Sequence, residues 1–212
     1  MLARLTVAIS AMVAVVAASN FLVQFPVEYA LGGINLADTL TWGAFTYPVA
    51  FLVSDLTNRH FGPAAARLVV LAGFALAVAL SVWLATPRIA LASGSAFLVA
   101  QLLNVSIFDR LRAGRWWQAP LISSLIGSVI DTVLFFSLAF APAFAGIDGF
   151  FGFEDGSLGF GAPLLSVGGE VPLWTSLAAG DFIVKLLVAL VLLVPYGALR
   201  RLIADRVLNP AV

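Results

Sequence analysis

Residues 118–140 read QAPLISSLIGSVIDTVLFFSLAF, a run with one charge, Asp131, near its middle. A hydrocarbon core about 30 Å thick needs roughly 20 apolar residues per helix, and this stretch meets that length. Working outward, stretches of the same kind lie at approximately 2–23, 36–56, 64–85, 89–111 and 173–199, separated by short polar turns such as 57–63 and 112–117. One long connection, 141–172, is rich in Gly, carries Asp148, Glu154, Asp155 and Glu170 without a basic residue, and reads as an exposed loop. The expectation is an all-α membrane protein of six transmembrane helices forming one integral-membrane domain over 1–212.

Composition agrees. The 212 residues are 62% hydrophobic and 10% charged, whereas a soluble domain carries about 25% charged residues. Eleven Lys and Arg balance eleven Asp and Glu, so no basic face exists for nucleic acid. The absence of Cys removes thiolate catalysis and Cys-ligated metals, and a single His, His60, cannot build a His-based metal site. No Walker A sequence and no His-Glu-x-x-His are present, which excludes direct nucleotide hydrolysis and a zinc intramembrane protease. No enzyme activity and no cofactor are expected.

Nine of the eleven basic residues fall at helix ends on one side: Arg4, Arg59, Arg67, Arg110, Arg112, Arg115, Arg200, Arg201 and Arg206. Arg88 alone lies on the other, and Lys185 sits within a span. The positive-inside bias puts both termini in the cytoplasm. Arg4 and the apolar run ending in Ala17, Ala18 and Ser19 also have the outline of a signal peptide. That run continues through Val23, beyond the usual 7–15-residue signal core, so the first helix is expected to be retained.

A charge at the bilayer centre costs on the order of 2.5–3.5 kcal/mol and must find protein, water or a partner. Asp131 lies about 20 Å along its helix and Lys185 about 21 Å from the same side, so both sit near the midplane. Asp181 precedes Lys185 by one turn, the favourable acid-before-base order. Lys185 can therefore bridge two carboxylates on two helices. The trio either fastens the fifth helix to the sixth or leaves one carboxylate free for a polar substrate or a coupling proton. Ser124, Gly127 and Ser128 share a helix face with Asp131, which turns it into the bundle.

On the fourth helix Gly94, Phe97, Gln101, Asn104 and Phe108 recur at three- and four-residue steps. Such a stripe serves interhelical hydrogen bonding, or binds a flat, nitrogen-rich ring by reading its edge with amides and its face with aromatics. Asn20 and Gln24 add amides near the outer end of the first helix. The second helix holds Trp42, Phe45, Tyr47, Pro48 and Phe51, with Asp55 and Arg59 at its cytoplasmic end as an interfacial ion pair or gate. Pro48 removes a backbone donor and predicts a kink. Two Asp groups also suggest an aspartyl intramembrane hydrolase, but Lys185 would hold both ionised where such a dyad must share a proton.

These residues resemble the bacterial queuosine-precursor transporters, a branch of the vitamin uptake transporter family. The likeness rests on Ser19 to Val27, on Thr41-Trp42-Gly43-Ala44-Phe45, and on Phe51 through Asp55-Leu56-Thr57 to Arg59, Phe61 and Gly62. It resumes at Arg88-Ile89-Ala90, Gln101-Leu102-Leu103-Asn104-Val105, Trp116-Trp117, Asp131-Thr132, Asp181, Lys185 and Pro195-Tyr196-Gly197. Asn104 stands where some members carry Asp.

The resemblance implies an inner-membrane importer of 7-deazaguanine compounds, 7-cyano-7-deazaguanine (preQ0) and its aminomethyl relative preQ1, destined for the queuosine of tRNA. It also implies a fold similar to the binding subunits of energy-coupling-factor vitamin transporters, without their ATPase. The partners implied are a 7-deazapurine and the lipid bilayer, with a homodimer left open. Expected roles follow: Asp131 or Asp181 accepts the ring N–H groups, Lys185 is charge partner or donor to the carbonyl, and Gln101 and Asn104 read the edge. Trp42 or Phe45 stacks, and Asn20 and Gln24 form the outer rim. The rivals are a binding subunit requiring a separate energising complex and the aspartyl hydrolase.

Overall fold

The computed structural model describes residues 2–32 and 34–208. Its helices are α1 (Leu2–Leu22), α2 (Gly43–Thr46), α3 (Val49–Leu84), α4 (Pro87–Leu111), α5 (Gln118–Phe140), α6 (Gly146–Phe150) and α7 (Leu173–Leu208). Two small antiparallel hairpins, β1 (Ala30–Leu31) with β2 (Ile34–Asn35) and β3 (Gly161–Pro163) with β4 (Glu170–Pro172), decorate the connections. Five helical stretches are long and apolar enough to cross a membrane: Ala3–Leu22, Gly43–Leu84, Pro87–Leu111, Gln118–Phe140 and Leu173–Ile203.

The second of these, 42 residues long, is folded back on itself. Gly62 has φ 83° and ψ 173°, a conformation open to glycine, and Pro63 starts the next arm where its missing N–H costs nothing. Contacts with α4 show the reversal. The Tyr47 and Phe97 rings meet at 6.0 Å, Ser54 bonds Gln101 and Asn58 bonds the Val105 carbonyl, so this arm runs alongside α4. Gly73 lies against Phe97 while Phe74 and Val78 lie against Gly94, so the second arm runs against it. Tyr47 and Gly73 thus share one depth. The helix breaks expected at 57–63 and 85–89 fall at Gly62 and Ala85–Thr86, where the Thr86 side chain caps α4 and Pro87 opens it.

The expected helix 36–56 is corrected. Residues Leu36–Asp38 make one 3₁₀ turn, 39–42 are not helical, and helix begins at Gly43 and runs past 56 to the Gly62 break. The reason is local. The Asn35 side chain accepts from the Ala37 N–H, and a bridge between Pro26 and Thr41 ties 24–42 into a folded loop. Gly43 passes so close to Val23 that a Cβ there would stand 3.0 Å from its backbone. Pro48 separates α2 from α3 as its missing donor demands.

The long connection is structured too. Arg88, 1% exposed at the start of α4, donates to Asp148 Oδ2 at 2.7 Å, Ser157 Oγ at 3.0 Å and the carbonyls of Leu138 and Ala141. Hydrogen bonds from Ser157 hold the exposed Asp155 carboxyl, 3.5 Å from Arg88, below its usual range. One guanidinium therefore fastens 141–157 over that end of the bundle. Ser176 of α7 accepts the Leu165 N–H at 2.8 Å and fixes the turn between β3 and β4. The bundle has a loop end, carrying this connection and the 84–87 turn, and a termini end, carrying Gly62, the 112–117 turn and the close of α7.

Candidate functional site

A cavity of about 610 Å³ enters from the loop end between α1, the 37–41 segment and the 84–86 turn, and reaches Tyr47, Asp131, Asp181 and Lys185. Three helices deliver its charged floor. Asp131 and Thr132 come from α5, Asp181 and Lys185 from α7 one turn apart, and Tyr47 from the α2–α3 junction.

Lys185, 3% exposed, is the hub. Its Nζ lies 2.6 Å from Asp131 Oδ2 and 2.5 Å from Asp181 Oδ2, donates to Thr132 Oγ1 at 3.3 Å, and stands 5.3 Å from the Tyr47 ring centroid. The Tyr47 hydroxyl donates to Asp131 Oδ1 at 2.9 Å. Asp131 therefore has both oxygens engaged. Asp181 differs: its Oδ2 takes Lys185 and the Thr132 hydroxyl, at 2.8 Å, while no donor among the described residues meets Oδ1. Two carboxyl groups share one ammonium at the floor, with one carboxyl oxygen to spare. Buried charges of this kind persist only when paired and hydrogen-bonded, and these are.

Five of the residues singled out from sequence line this cavity: Asn20, Gln24, Asp131, Asp181 and Lys185. The bridge from Lys185 to both carboxylates is observed. Asn20 and Gln24 spend their amide N–H groups on the Val16 and Asn20 carbonyls.

The structure places the other named residues outside this cavity. Trp42 is 48% exposed and outside the cavity lining, because the folded 24–42 loop carries it outward; Phe45 packs with Val27, Leu40, Ala44 and Val184 instead. Phe135, Phe136 and Phe140 of α5 supply the cavity's aromatic wall. Gln101 and Asn104 point not into the cavity but into a separate buried cluster with Ser54 and Asp55. There Ser54 Oγ donates to Gln101 Oε1 at 3.0 Å and Asn104 Nδ2 to Asp55 Oδ1 at 2.7 Å. Asp55 and Arg59 do not pair. Arg59 Nε donates to the Tyr196 hydroxyl at 3.1 Å and Nη1 to the Arg112 carbonyl, with the guanidinium 5.2 Å from the Phe108 ring centroid. Arg59 closes the termini end without a carboxylate.

Thr132 and the three phenylalanines carry no signal of a role in the sequence, and Tyr47 stands there only as one ring of a kinked aromatic helix suited to gating. A hydroxyl-bearing aromatic immediately before Pro48 was the available signal for Tyr47: the break turns that ring out of the helical register.

Comparison with known proteins follows the same chain. A family model described as "Putative vitamin uptake transporter" matches residues 41–86 and 80–199. The "Queuosine precursor transporter" of Escherichia coli (strain K12) is 33% identical over 214 residues, covering 91% of this chain and 84% of that protein. The "Probable queuosine precursor transporter" of Haemophilus influenzae is 33% identical over 217 residues, covering 89% and 83%. No solved structure matches.

Proposed function

This chain belongs to the queuosine precursor transporters, within the vitamin uptake transporter family, and from that premise we propose that it imports preQ0 and preQ1 across the bacterial inner membrane by alternating access. It is a multi-pass membrane transporter and not an enzyme. In the proposed topology the fold-back at Gly62 makes six passages from the five long helical stretches, with both termini cytoplasmic and the loop end outside.

The observation that carries the reading is the spare oxygen of Asp181 at the floor of a 610 Å³ cavity, a volume within the range of small-molecule sites. A guanine-like edge presents adjacent N–H donors and a carbonyl. Asp181 Oδ1 accepts from an N–H, a ring carbonyl draws to itself the Lys185 N–H that rests on Thr132 Oγ1 at 3.3 Å, and Phe135, Phe136 and Phe140 offer ring faces for stacking. Asp131 serves differently from Asp181, because Tyr47 and Lys185 occupy both of its oxygens and make it the group that orients Lys185.

Queuosine in tRNA of cells unable to make the precursor, fed preQ0 or preQ1, tests this. With the gene, queuosine returns; without it, or with Asp181→Asn, it does not. Equal queuosine in all three strains removes the assignment. Transport by the chain alone in vesicles separates it from a binding subunit that needs an energising complex.

A further inference from the structure

Beneath the cavity floor, toward the termini end, lies the second polar cluster, and it is incompletely bonded. Gln101 and Asn104 are 0% exposed, and Gln101 Nε2, Asn104 Oδ1 and Ser128 Oγ of α5 have no partner among the described residues. Asp55, 1% exposed, accepts from Asn104 and from the Ser124 hydroxyl and has no cation within ion-pair distance among the described residues. A buried polar atom left without a partner costs about 1–3 kcal/mol. A fold that keeps several together in one place, in the most apolar part of the molecule, is holding them for something that visits.

Their depth is set by the helices. Tyr47 meets Asp131 across the first arm of α3 and α5, Phe51 meets Gly127, and Asp55 shares a crevice with Ser124. The pairs descend in step, so Asp55 lies about 12 Å below Tyr47 at 1.5 Å per residue. Between them the Phe51 ring fills the path. It is 1% exposed and pressed onto Gly127, where a Cβ would come within 2.9 Å of its Cε1. Its edge faces the Tyr47 ring, centroids 6.5 Å apart, and Tyr47 holds Asp131. Movement of Phe51 is thereby linked to the charged floor above. The crevice at Asp55, lined by Ser124 and Tyr196 but not by Gln101 or Asn104, encloses only about 20 Å³, room for one water, and the two amides do not line the upper cavity either, so this station is shut while the upper cavity is open.

The free groups have a definite chemistry. Gln101 Nε2 is an unspent donor and Asn104 Oδ1 an unspent acceptor one turn along the same helix, and beside them Asp55, which already accepts from Asn104 and Ser124, has lone pairs left to accept further. That set complements a planar ring whose edge carries a carbonyl next to two N–H donors. We propose that Gln101, Asn104 and Asp55 form a second binding station for the same lactam-edged, 7-deazaguanine-type ring, occupied when the bundle opens toward the termini end. Phe51, seated on Gly127, is the gate between the two stations. The identity of the ring rests on the functional reading above; the gate does not.

Three measurements test it in the full-length protein. First, binding of preQ0 to purified Gln101→Leu and Asn104→Leu is compared with its exchange across vesicles. Binding from the loop side stays within about twofold, because the upper floor is intact, while exchange falls roughly tenfold or more, the loss of one hydrogen bond at a step both directions must use. Unchanged exchange, or binding and exchange falling together with thermal stability as in a purely structural core, overturns the station.

Second, the chain lacks Cys, so a Ser124→Cys variant reports opening of the lower crevice by reaction with a membrane-impermeant maleimide from the termini side, with no ligand present. Labelling occurs, and adding Gly127→Ala, which displaces Phe51 from its seat, changes its rate by about tenfold. Absence of labelling, or a rate indifferent to Gly127→Ala, overturns the gate. Third, preQ0 slows labelling of Ser124→Cys. If preQ0 neither binds nor protects while labelling responds to Gly127→Ala, the substrate assignment falls and the gate stands.

Discussion

Two polar clusters sit one below the other in this bundle, and they solve burial in opposite ways. The upper one, Asp131, Asp181 and Lys185, is charged, and two hydroxyls, Tyr47 and Thr132, complete its bonding. The lower one, Ser54, Asp55, Gln101 and Asn104, has one carboxylate and, among the described residues, no cation in ion-pair contact and amide atoms without partners. The difference follows from what each borders. A cavity open to solvent supplies water to the groups that face it, so ionised side chains survive there once neutralised by a neighbour. A closed interhelical seam supplies none, and amides, whose desolvation is cheaper than that of ions, are what it can retain. Carboxyls bridged by a cation mark the open station, and amides around a single carboxyl mark the closed one.

The contrast breaks hardest at Lys185. Lys185→Met leaves Asp131 and Asp181 facing each other without a cation. Removing one member of a buried ion pair costs about 3–5 kcal/mol, so the variant loses thermal stability in detergent by that order and loses uptake entirely. Arg88→Gln gives a loss of similar size for the same reason, since Asp148 is 4% exposed and Arg88 also holds two carbonyls. In that case the damage is confined to the 141–157 connection, and protease digestion from the loop side reports it while the charged floor stays whole. A Lys185→Met protein as stable as the parent would mean that the upper cluster is not held by charge.

Asp131→Asn is a gentler probe. Lys185 keeps Asp181, and an amide can still accept from Tyr47, so the loss is that of a charge-assisted hydrogen bond, about 1.5–3 kcal/mol. Uptake falls with it, because the ammonium is no longer aimed by two carboxylates. Asp181→Asn should spare stability more than Asp131→Asn and depress uptake at least as much, since Asp181 alone offers an unspent oxygen. The reverse order would exchange the roles given to the two carboxylates.

How far the sequence reveals these arrangements depends on whether the deciding interaction is local. The bounds of α5 match the expectation of 118–140 residue for residue, because an apolar run of membrane length has one solution in lipid. The bridge from Lys185 to two aspartates is equally readable, since Asp181 is one turn away and Asp131 shares its depth. Depth is one-dimensional and counts along the chain. Azimuth is not: whether Gln101 and Asn104 turn toward the cavity or toward Asp55 depends on how α3, α4 and α5 rotate against one another, which Gly127 and Phe51 decide by shape. Trp42 lies outside the cavity for a related reason. The loop before it is tied back by the Pro26–Thr41 bridge, a contact fifteen residues apart in sequence that no helical periodicity reports. Arg88 stands in the sequence as a lone cation on the acidic side, and only the folded connection makes it the anchor of that end.

The finest test of the contrast is Asp55→Asn. At the upper station neutralising a carboxylate strands a cation; at the lower one it breaks no ion pair, because Arg59 is engaged by Tyr196 and the Arg112 carbonyl, and it removes only the weaker field between Arg59 and Asp55 and the charge behind the Ser124 hydrogen bond. The Asn104 Nδ2 donor to position 55 still finds an oxygen if the new amide presents its carbonyl. Stability is therefore expected to stay at the parental level or rise, the outcome opposite in sign to Asp131→Asn, even though both changes replace a buried aspartate by its amide. Exchange through vesicles falls all the same, since one acceptor for the ring's N–H groups has become half donor. A marked loss of thermal stability in Asp55→Asn would show instead that the lower carboxylate is tied to Arg59 in the working protein, and would make the two clusters variations on a single charged design.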